Sequence, residues 1–397
     1  MFLKKTPYYL SHSFTQPENE IFAKFDKDDL SNALSAVSAV QIDSEIGWIQ
    51  LNFLGNNSII ISAISHSLSI KYEIQTNYVG QGVIKLSGRQ LSEYVKQLPN
   101  APIDFKVEFP SRVLLKCAGS SAKIQLIHDP IHSEFSVPEK AANIVLKGET
   151  IERWLSYFRE FVCVDDHRFY ANGALIGLEI NGQNKQEYFL NAVASDAIRL
   201  AKISLVEGFK VTDYSNSKVL VPRKALEELK RICIMRPSQD FNISWNDQNL
   251  SFSVETENYT MTSKCITGNY PPYEAALPQI INLEISVDLK TIQDSVKRSL
   301  LFADKNRVIK MHFEGSLMNL ESFTPGQKEG EEVLEINPSV GSSFEVYYDG
   351  HLLSGILSIL QGSRANFAWE NISRPVRITG ETERGIEGFY LLVPARF

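Results

Sequence analysis

The side chains that could do catalytic or metal chemistry in this sequence are few and scattered. The segment CVDDHR places Asp165, Asp166 and His167 side by side, a set that could hold a metal ion weakly. We favour a solvated loop before a strand, because the seven histidines of the chain do not cluster at ligand spacing. Ser195 and Asp196 are adjacent, but neighbours on a strand face opposite ways and cannot form a nucleophilic dyad. We therefore expect no catalytic residues, no metal and no cofactor.

Sequence signatures of enzymes and of exported proteins are also missing. The chain has no glycine-rich phosphate loop, no HExxH and no GxSxG. Its four cysteines lie far apart without a CxxC pair, which argues against a zinc site or a disulfide framework and suits a reducing cytoplasm. No apolar run approaches the ~20 residues that span a bilayer, and the first twenty residues lack the apolar core of a secretory signal. We expect a cytoplasmic protein without catalytic activity, and an enzyme of nucleic-acid metabolism remains an alternative.

Basic side chains recur on segments with helical spacing, although the chain as a whole has a net charge of -7. In VPRKALEELKRIC the apolar residues form one stripe and most cations lie on the other side. One such helix is normally a solvated surface, but several around one cavity would attract phosphates without reading bases. The candidate DNA-binding cations are Arg89, Arg223, Lys224, Lys230, Arg231, Lys297 and Arg298.

Six helical segments, separated by strand-like runs, form two series of three. The first series covers 25–37, 146–158 and 286–300, and the second covers 86–98, 221–233 and 347–360. Starts within each series recur at roughly 120–140 residues, the length of a typical domain. The runs between them alternate apolar and polar residues, as antiparallel sheets do. The spacing predicts an α+β protein with three copies of one unit, each built from two helices and antiparallel sheets.

Proline-rich segments mark the joints between these units. The segments 128–143 and 267–279 each hold prolines that fix the backbone and disfavour helix before them. We interpret TPGQKEGEEV (324–333) as a loop. The expected organisation is an N-terminal extension over 1–19 and three domains over 20–142, 143–270 and 271–397.

Five segments, in this order, resemble the bacterial DNA sliding clamp, the beta subunit of DNA polymerase III. HRFYANGALIGLEI (167–180) is similar to the RYYLNG segment of that family, and ASDAIRLAK (194–202) is similar to TDGHRLA. KVLVPRKALEEL (218–229) is similar to VIVPRKAL, and MTSKCITGNYPPYEAALP (261–278) is similar to FTSKLIEGxFPxYxxVIP. YLLVPARF (390–397) resembles the family ending YVVMPMRL.

The resemblance implies three DNA-clamp domains in each subunit, with helices inside and antiparallel sheets outside. Two subunits would join head to tail and close a ring, and a closed two-fold ring stops growing there. The implied function is that of a processivity factor, which encircles duplex DNA, slides along it and tethers the replicative polymerase. A β-rich interaction scaffold that does not encircle DNA remains the second alternative. Phe169 and Tyr170 match family positions near the DNA path.

The resemblance also implies a pocket between the second and third domains, beside the C-terminus. Polymerases, the clamp loader and repair proteins would insert a short apolar peptide there, and such a site needs an apolar floor and a polar rim. We expect Arg168, Arg199 and Arg396 at the rim. The expected pocket residues are Arg168, Ala171, Ser195, Ala197, Ile198, Arg199, Leu200, Pro271, Pro375, Leu391, Val393, Pro394, Ala395 and Arg396.

The sequence departs from the family pattern at several of these pocket positions. Ala171 replaces the usual Leu, and Ala197 with Ile198 replaces Gly-His. Ala395 stands where the family has a larger apolar residue. These changes leave the fold untouched and leave open whether the pocket is enlarged.

Overall fold

The computed structural model describes residues 20–42, 47–55, 57–128, 142–180, 187–324 and 327–395. The predicted extension over 1–19 and Arg396 lie outside these ranges. The chain divides into two compact units, Met1–Phe135 with Asn258–Thr260, and Ser136–Glu257 with Met261–Phe397. Within the described ranges, no helix combines the length and the apolar character that crossing a membrane requires.

The first part of the chain alternates helices with antiparallel strands. Its elements are β1 (Ile21–Phe25), α1 (Lys27–Ile42), β2 (Trp48–Phe53), β3 (Ser58–Ile64), β4 (Leu68–Gln75), β5 (Tyr78–Val79), β6 (Gly82–Ser87), α2 (Gly88–Gln97), β7 (Ile103–Glu108), β8 (Arg112–Cys117) and β9 (Ser120–Gln125). One sheet has the order β5-β1-β7-β8-β9, and a second contains β6-β2-β3-β4. Strand β1 buries every second residue, and α1 packs against α2.

The middle of the chain repeats this plan. Its elements are β10 (Ala142–Lys147), α3 (Gly148–Ser156), 3₁₀ segments at Arg159–Phe161 and Phe169–Asn172, β11 (Gly173–Ile180), β12 (Tyr188–Ser195), β13 (Arg199–Leu205), β14 (Phe209–Asp213), β15 (Lys218–Pro222), α4 (Arg223–Met235), β16 (Asp240–Asn246), β17 (Ser251–Glu255) and β18 (Tyr259–Lys264). Helix α3 packs against α4, and β14-β10-β16-β17 are consecutive in one sheet.

The last part of the chain holds the third helix pair. Its elements are a 3₁₀ segment at Tyr273–Ala276, β19 (Leu283–Asp288), α5 (Leu289–Leu300), β20 (Val308–Thr324), β21 (Gln327–Asp349), α6 (Gly350–Ile359), β22 (Gln361–Trp369), β23 (Val376–Glu381) and β24 (Ile386–Leu392). One sheet runs through the second unit in the order β15-β11-β12-β13-β24-β23-β22-β19-β21-β20. The antiparallel pair of β13 and β24 therefore joins the middle of the chain to its last described strand.

All six predicted helices are confirmed, with small shifts at their ends. Helix α1 begins at Lys27 because the Asp26 carboxylate accepts the N–H of Asp28 at 2.8 Å, which satisfies one of the free donors of the first turn. Helix α5 begins at Leu289 because the Asp288 carboxylate accepts the N–H of Thr291 at 2.7 Å. Each start is thus set by a single acidic cap.

The interpretation of residues 324–333 as a loop is wrong over the described part of that segment. Residues from Gln327 onward belong to β21, with Thr324 opposite Gln327 and Leu320 opposite Glu332. Glycine and glutamate have low strand propensity, but the long partner strand β20 supplies backbone hydrogen bonds along this stretch. Tertiary pairing therefore overrides local preference here.

Candidate functional site

An apolar cluster lies where β13 and β24 pair. Its buried centre consists of Val193, Leu200 and Leu391, and Leu200 lies directly opposite Leu391 in the sheet. The partly buried apolar residues packed against this centre are Leu175, Tyr270, Tyr273, Ala276, Leu277 and Phe389. Two predicted pocket residues thus meet at the centre, together with neighbours that the sequence did not single out. Partly buried apolar walls around such a centre can receive an apolar side chain.

The end of β24 runs beside a turn that carries another predicted pocket residue. The Val393 N–H donates to the Ile198 carbonyl at 3.0 Å, and both side chains are exposed, to 38% and 48% respectively. The Ala395 N–H donates to the Tyr347 carbonyl at 2.8 Å, while Pro394 is buried. Two exposed apolar side chains beside an apolar cluster form an accessible contact surface.

The turn that presents Ile198 is held by Asp196, which sequence reasoning did not include in the site. The Asp196 carboxylate accepts the N–H of Ile198 at 3.0 Å and the N–H of Arg199 at 2.6 Å. Ser195 Oγ accepts the Ala197 N–H at 3.0 Å and donates to the Arg199 carbonyl at 2.7 Å. A Ser-Asp pair at the end of a strand is a turn signal that could have identified this residue. The turn is therefore hydrogen-bonded within itself.

Arg199 lies among protein groups rather than at an open rim. Its Nε donates to the Asp196 carboxylate at 2.9 Å, and its side chain is only 13% exposed. The guanidinium carbon lies 4.7 Å from the centre of the Phe161 ring, and Nη2 donates to the Glu160 carbonyl at 3.4 Å. These contacts make Arg199 a support of the turn.

Arg168 makes a two-pronged ion pair with Asp166. Its Nε and Nη2 donate to the two carboxylate oxygens at 2.8 and 2.7 Å, and Nη2 also reaches the Asp196 carbonyl at 3.4 Å. Hydrogen bonds from Arg168 hold the pKa of the Asp166 carboxyl well below its usual range. Those from the guanidinium have the largest effect, and the one from the Arg168 backbone N–H has the next largest. Among the described residues, no group of three or more His, Cys, Asp or Glu side chains could hold a metal ion.

The other predicted pocket residues differ in how far they reach the surface. Ala171 is fully buried, and its carbonyl accepts the Cys163 N–H at 2.7 Å. Pro271 and Pro375 are half-buried, and Pro375 directly precedes β23, where Val376 pairs with Leu392. Ala171 therefore offers no accessible side-chain surface to a ligand, whereas both prolines do.

An aromatic row connects the cluster with two predicted DNA-contacting residues. The ring centres of Phe169 and Tyr170 are 5.9 Å apart, those of Tyr170 and Tyr270 are also 5.9 Å apart, and Phe169 is 40% exposed. Burial raises the pKa of the Tyr270 hydroxyl, so this group is neutral at ordinary pH. The row places Phe169 and Tyr170 beside the cluster through Tyr270.

More of the positive charge on α4 is paired with acidic side chains than the sequence suggests. Its predicted apolar stripe is confirmed, but Glu228 is buried beside it and accepts two hydrogen bonds from Arg231 at 2.7 and 2.6 Å. Arg223 donates to the Glu227 carboxylate at 2.7 Å, and Lys224 is an exposed residue of the same helix. The cations of this helix thus alternate with acidic partners. The Arg223–Glu227 pair lies near the surface and is weak, so a phosphate can compete for Arg223, whereas buried Glu228 holds Arg231 more strongly.

Acidic partners also lie beside three of the remaining candidate cations. Lys230 lies 3.8 Å from the Glu152 carboxylate, and Arg298 donates to both oxygens of Glu332 at 2.8 and 2.6 Å. In the first unit, Arg89 pairs with Glu93 at 2.9 Å, and both side chains are largely exposed. Lys297 is exposed on α5. The pairs Lys230–Glu152 and Arg298–Glu332 each join different elements, so a count of charges along a single helix misses them.

Three family models match the chain, one after another. The model described as the N-terminal domain of the DNA polymerase III beta subunit matches residues 28–142. The models for the central and C-terminal domains of the same subunit match residues 145–272 and 274–394. Together, these matches cover most of the chain.

Individual relatives and solved structures agree with these matches. The beta sliding clamp of Pseudomonas aeruginosa is 25% identical over 319 residues, covering 79% of this chain and 82% of the relative. The crystal structure of the Caulobacter crescentus beta sliding clamp covers 96% of this chain and 100% of its own, with 22% identity and a TM-score of 0.84. A Pseudomonas aeruginosa sliding clamp bound to griselimycin likewise covers 96% of this chain and all of its own, with 20% identity and a TM-score of 0.82.

Proposed function

The chain belongs to the DNA polymerase III beta subunit family, the bacterial DNA sliding clamps, and from this premise we propose how it works. The chain is a non-catalytic processivity factor of DNA replication. Two copies join head to tail into a ring that encircles duplex DNA and slides along it. The observation that carries this proposal is the in-order match of three clamp domains to one chain that holds three helix pairs.

Encirclement solves a problem that affinity cannot solve. A polymerase must stay on DNA for many steps without being held at any one of them. Tight phosphate contacts would oppose sliding, whereas a closed ring prevents escape even when each contact is weak. Cations that alternate with acidic partners near the surface, such as Arg223 with Glu227, suit this requirement because each phosphate meets a partly compensated charge.

We assign DNA attraction to the cations of the helices and partner binding to the apolar cluster. The proposed DNA contacts are Arg89, Phe169, Tyr170, Arg223, Lys224, Lys230, Arg231, Lys297 and Arg298. The cluster around Leu200 and Leu391, with Ile198 and Val393 exposed beside it, supports a pocket for a short apolar peptide. The partners are the polymerase III catalytic subunit, the clamp loader and repair polymerases, and the ring works in the cytoplasm. The proposed domain limits are 20–142, 143–270 and 271–397, after an extension over 1–19.

Retention on circular DNA tests the ring. We expect protein loaded on nicked circular DNA to stay bound in a salt wash and to be lost when one cut makes the DNA linear. Equal loss from both forms would refute encirclement and favour the scaffold alternative. A size measurement should give twice the mass of one chain.

A labelled hexapeptide that contains one Leu and one Phe tests the pocket. We expect it to bind the full chain and to lose binding when residues 393–397 are deleted, because Val393 and Pro394 lie beside the cluster. The deletion should leave the dimer intact, and this serves as the control for folding. Peptide affinity that survives the deletion would refute the assignment of the pocket.

A further inference from the structure

Two cations lie beside the buried centre of the apolar cluster without an acidic partner. They are Lys202 on β13 and Arg377 on β23, and both side chains are partly exposed. Neither side chain makes an ion pair or a hydrogen bond in the part of the chain that the structure describes. The predicted rim residues Arg168 and Arg199 differ, because carboxylates already hold them. Lys202 and Arg377 are therefore available to a ligand.

The sheet register places Lys202 on the face that carries the cluster. Lys202 lies directly opposite Val193 on β12 and Phe389 on β24, and directly opposed residues of an antiparallel pair share a face. Leu200, two residues earlier on the same strand, shares that face as well. Val193 and Leu200 belong to the centre of the cluster, and Phe389 packs against it. A lysine with such neighbours covers them with its stem while its amine reaches water.

Arg377 borders the same centre from the next strand. It lies directly opposite Leu391, which lies directly opposite Leu200, so the three side chains share one face. The Nε of Arg377 is buried and has no hydrogen-bond partner among the described residues. A guanidinium stays charged in proteins, and a buried charged donor without an acceptor costs free energy. A bound carboxylate would satisfy it, because a carboxylate can accept two parallel hydrogen bonds from a guanidinium.

The acidic residues on this face lie farther away. Glu179 already pairs with Lys218 at 2.7 Å. Glu387 is exposed near the start of β24, whereas the centre of the cluster lies near the end of that strand. Glu284 is separated from Arg377 by β22, which puts it two strand spacings away, or about 10 Å. Within the described ranges, neither cation is thus neutralised at short range.

The register also gives the distances from each cation to the centre of the cluster. Arg377 is one strand from Leu391, or about 4.8 Å, and Lys202 is two residues from Leu200, or about 6.7 Å. The two cations lie diagonally across the centre, with their backbones roughly 12 Å apart. An extended peptide advances ~3.3–3.6 Å per residue. A carboxylate one or two residues from an anchored apolar side chain therefore comes within reach of one cation.

We propose that Lys202 and Arg377 select partner peptides that carry a carboxylate within two residues of their apolar anchor. The occupant is a short apolar segment of the partner with Asp or Glu beside the anchoring side chain. Charge complementarity supports this choice, since both cations beside the cluster lack an acidic partner among the described residues. The inference rests on the proposed function, because it needs a peptide in the pocket. Ion pairs near the surface are weak, so the cations discriminate between partners while the apolar contacts supply most of the affinity.

Matched peptides that differ in one carboxylate test this selection. The labelled hexapeptide is blocked at both ends to remove its terminal charges. It is made with Asp or with Asn at each position within two residues of its Leu. We expect Asp at one or more of these positions to bind the full chain about fivefold more tightly than Asn. The preference should shrink as the salt concentration is raised, because salt screens the ion pair.

Removal of the two positive charges should remove the preference. We expect Lys202→Gln and Arg377→Gln each to weaken binding of Asp peptides, and the double variant to bind Asp and Asn peptides equally. The affinity for Asn peptides should stay unchanged, which separates loss of charge from loss of fold. Arg377→Lys keeps the positive charge and should keep most of the preference. Lys210→Gln, at an exposed position on β14 in a different sheet, is the control and should keep all of it.

Other outcomes contradict the inference in distinguishable ways. Equal affinities for Asp and Asn peptides at every position, with both bound, would refute the selection and leave the proposed function standing. A preference that survives in the double variant would assign the selection to another cation. Variants that weaken Asp and Asn peptides equally would show that the two side chains support the cluster and do not select. No binding of any peptide to the unmodified chain would refute the proposed pocket and this inference together.

Discussion

Leu200 and Leu391 lie opposite each other on neighbouring antiparallel strands, although nearly half the chain separates them. Both are more than nine-tenths buried, and Val193 completes the centre of their cluster. A site built on two paired strands is more rigid than one built on loops alone. The floor of the proposed pocket is therefore formed before any peptide arrives.

Truncation of Leu200 tests whether this floor binds the peptide. We expect Leu200→Ala to weaken binding of the hexapeptide by on the order of 2 kcal/mol, because a central apolar anchor is removed. Titration of the labelled peptide measures the effect. Leu205→Ala is the matched control, since Leu205 is buried on the same strand but lies at its other end. An equal loss of affinity in both variants would mean that general destabilisation is responsible.

Backbone strain at Ala197 provides a second prediction. Its φ of +69° lies in the left-handed region, which costs an L-residue about 1–2 kcal/mol relative to glycine. Glycine loses more entropy on folding, by about 0.5–1 kcal/mol. We therefore expect Ala197→Gly to raise the free energy of unfolding by about 0.5 kcal/mol in urea titrations. Ala201→Gly, at a buried position of the same strand β13, should lower it. Destabilisation by Ala197→Gly would contradict the strain.

The Arg168–Asp166 pair predicts a pH dependence of stability. Because the folded-state pKa of Asp166 is lowered, its stabilising contribution is present above the unfolded pKa of about 3.9 and is lost as the pH falls through the folded value. Asp166→Asn should therefore be less stable than the unmodified chain at pH 7. The difference should shrink progressively below about pH 4, as measured by urea unfolding. Arg168→Gln, which removes the other partner of the pair, should show the same trend.

Exposed lysines on the helices should set the salt dependence of DNA association. We expect Lys224→Ala and Lys297→Ala each to reduce the slope of log K against log salt by about 0.9 for every phosphate that the side chain neutralises. Lys116→Ala, at an exposed position on strand β8, is the control and should leave the slope unchanged. Unchanged slopes in both helix variants would show that these side chains point away from DNA.

Arg231 should behave differently from the lysines because it is bound to a buried carboxylate. Arg231→Ala leaves Glu228 buried with the two hydrogen bonds of its partner removed, and we expect a loss of stability of about 3 kcal/mol. Its effect on the salt slope should be smaller than that of Lys224→Ala. A stable Arg231→Ala variant with a strongly reduced slope would contradict this division of roles.

Local patterns were sufficient for most of the fold. Apolar spacing along α4 predicted its buried stripe, and the alternation in SIIISAI predicted strand β3. The predicted start of α1, at residue 25, was two residues too early, because the helix begins at Lys27, directly after the capping residue Asp26. A strand begins at Gln327 where a loop was expected, because this stretch pairs with β20. The local pattern of Gly and Glu residues contains no sign of that pairing.

The sequence by itself determined the helices, the three-fold repetition and the segments that carry the proposed pocket, because hydrophobic periodicity and motif order are properties of neighbouring residues. Only the tertiary structure decided which charges are compensated. From the sequence, Arg199 and Arg231 are both expected to be available cations. In the structure, Arg199 lies against Asp196 and Phe161, and Arg231 lies against buried Glu228. How strongly a charged side chain interacts with a ligand depends on its burial and on its partners in space. In the pairs that join different elements, such as Arg298 with Glu332, the two partners meet only when the chain has folded.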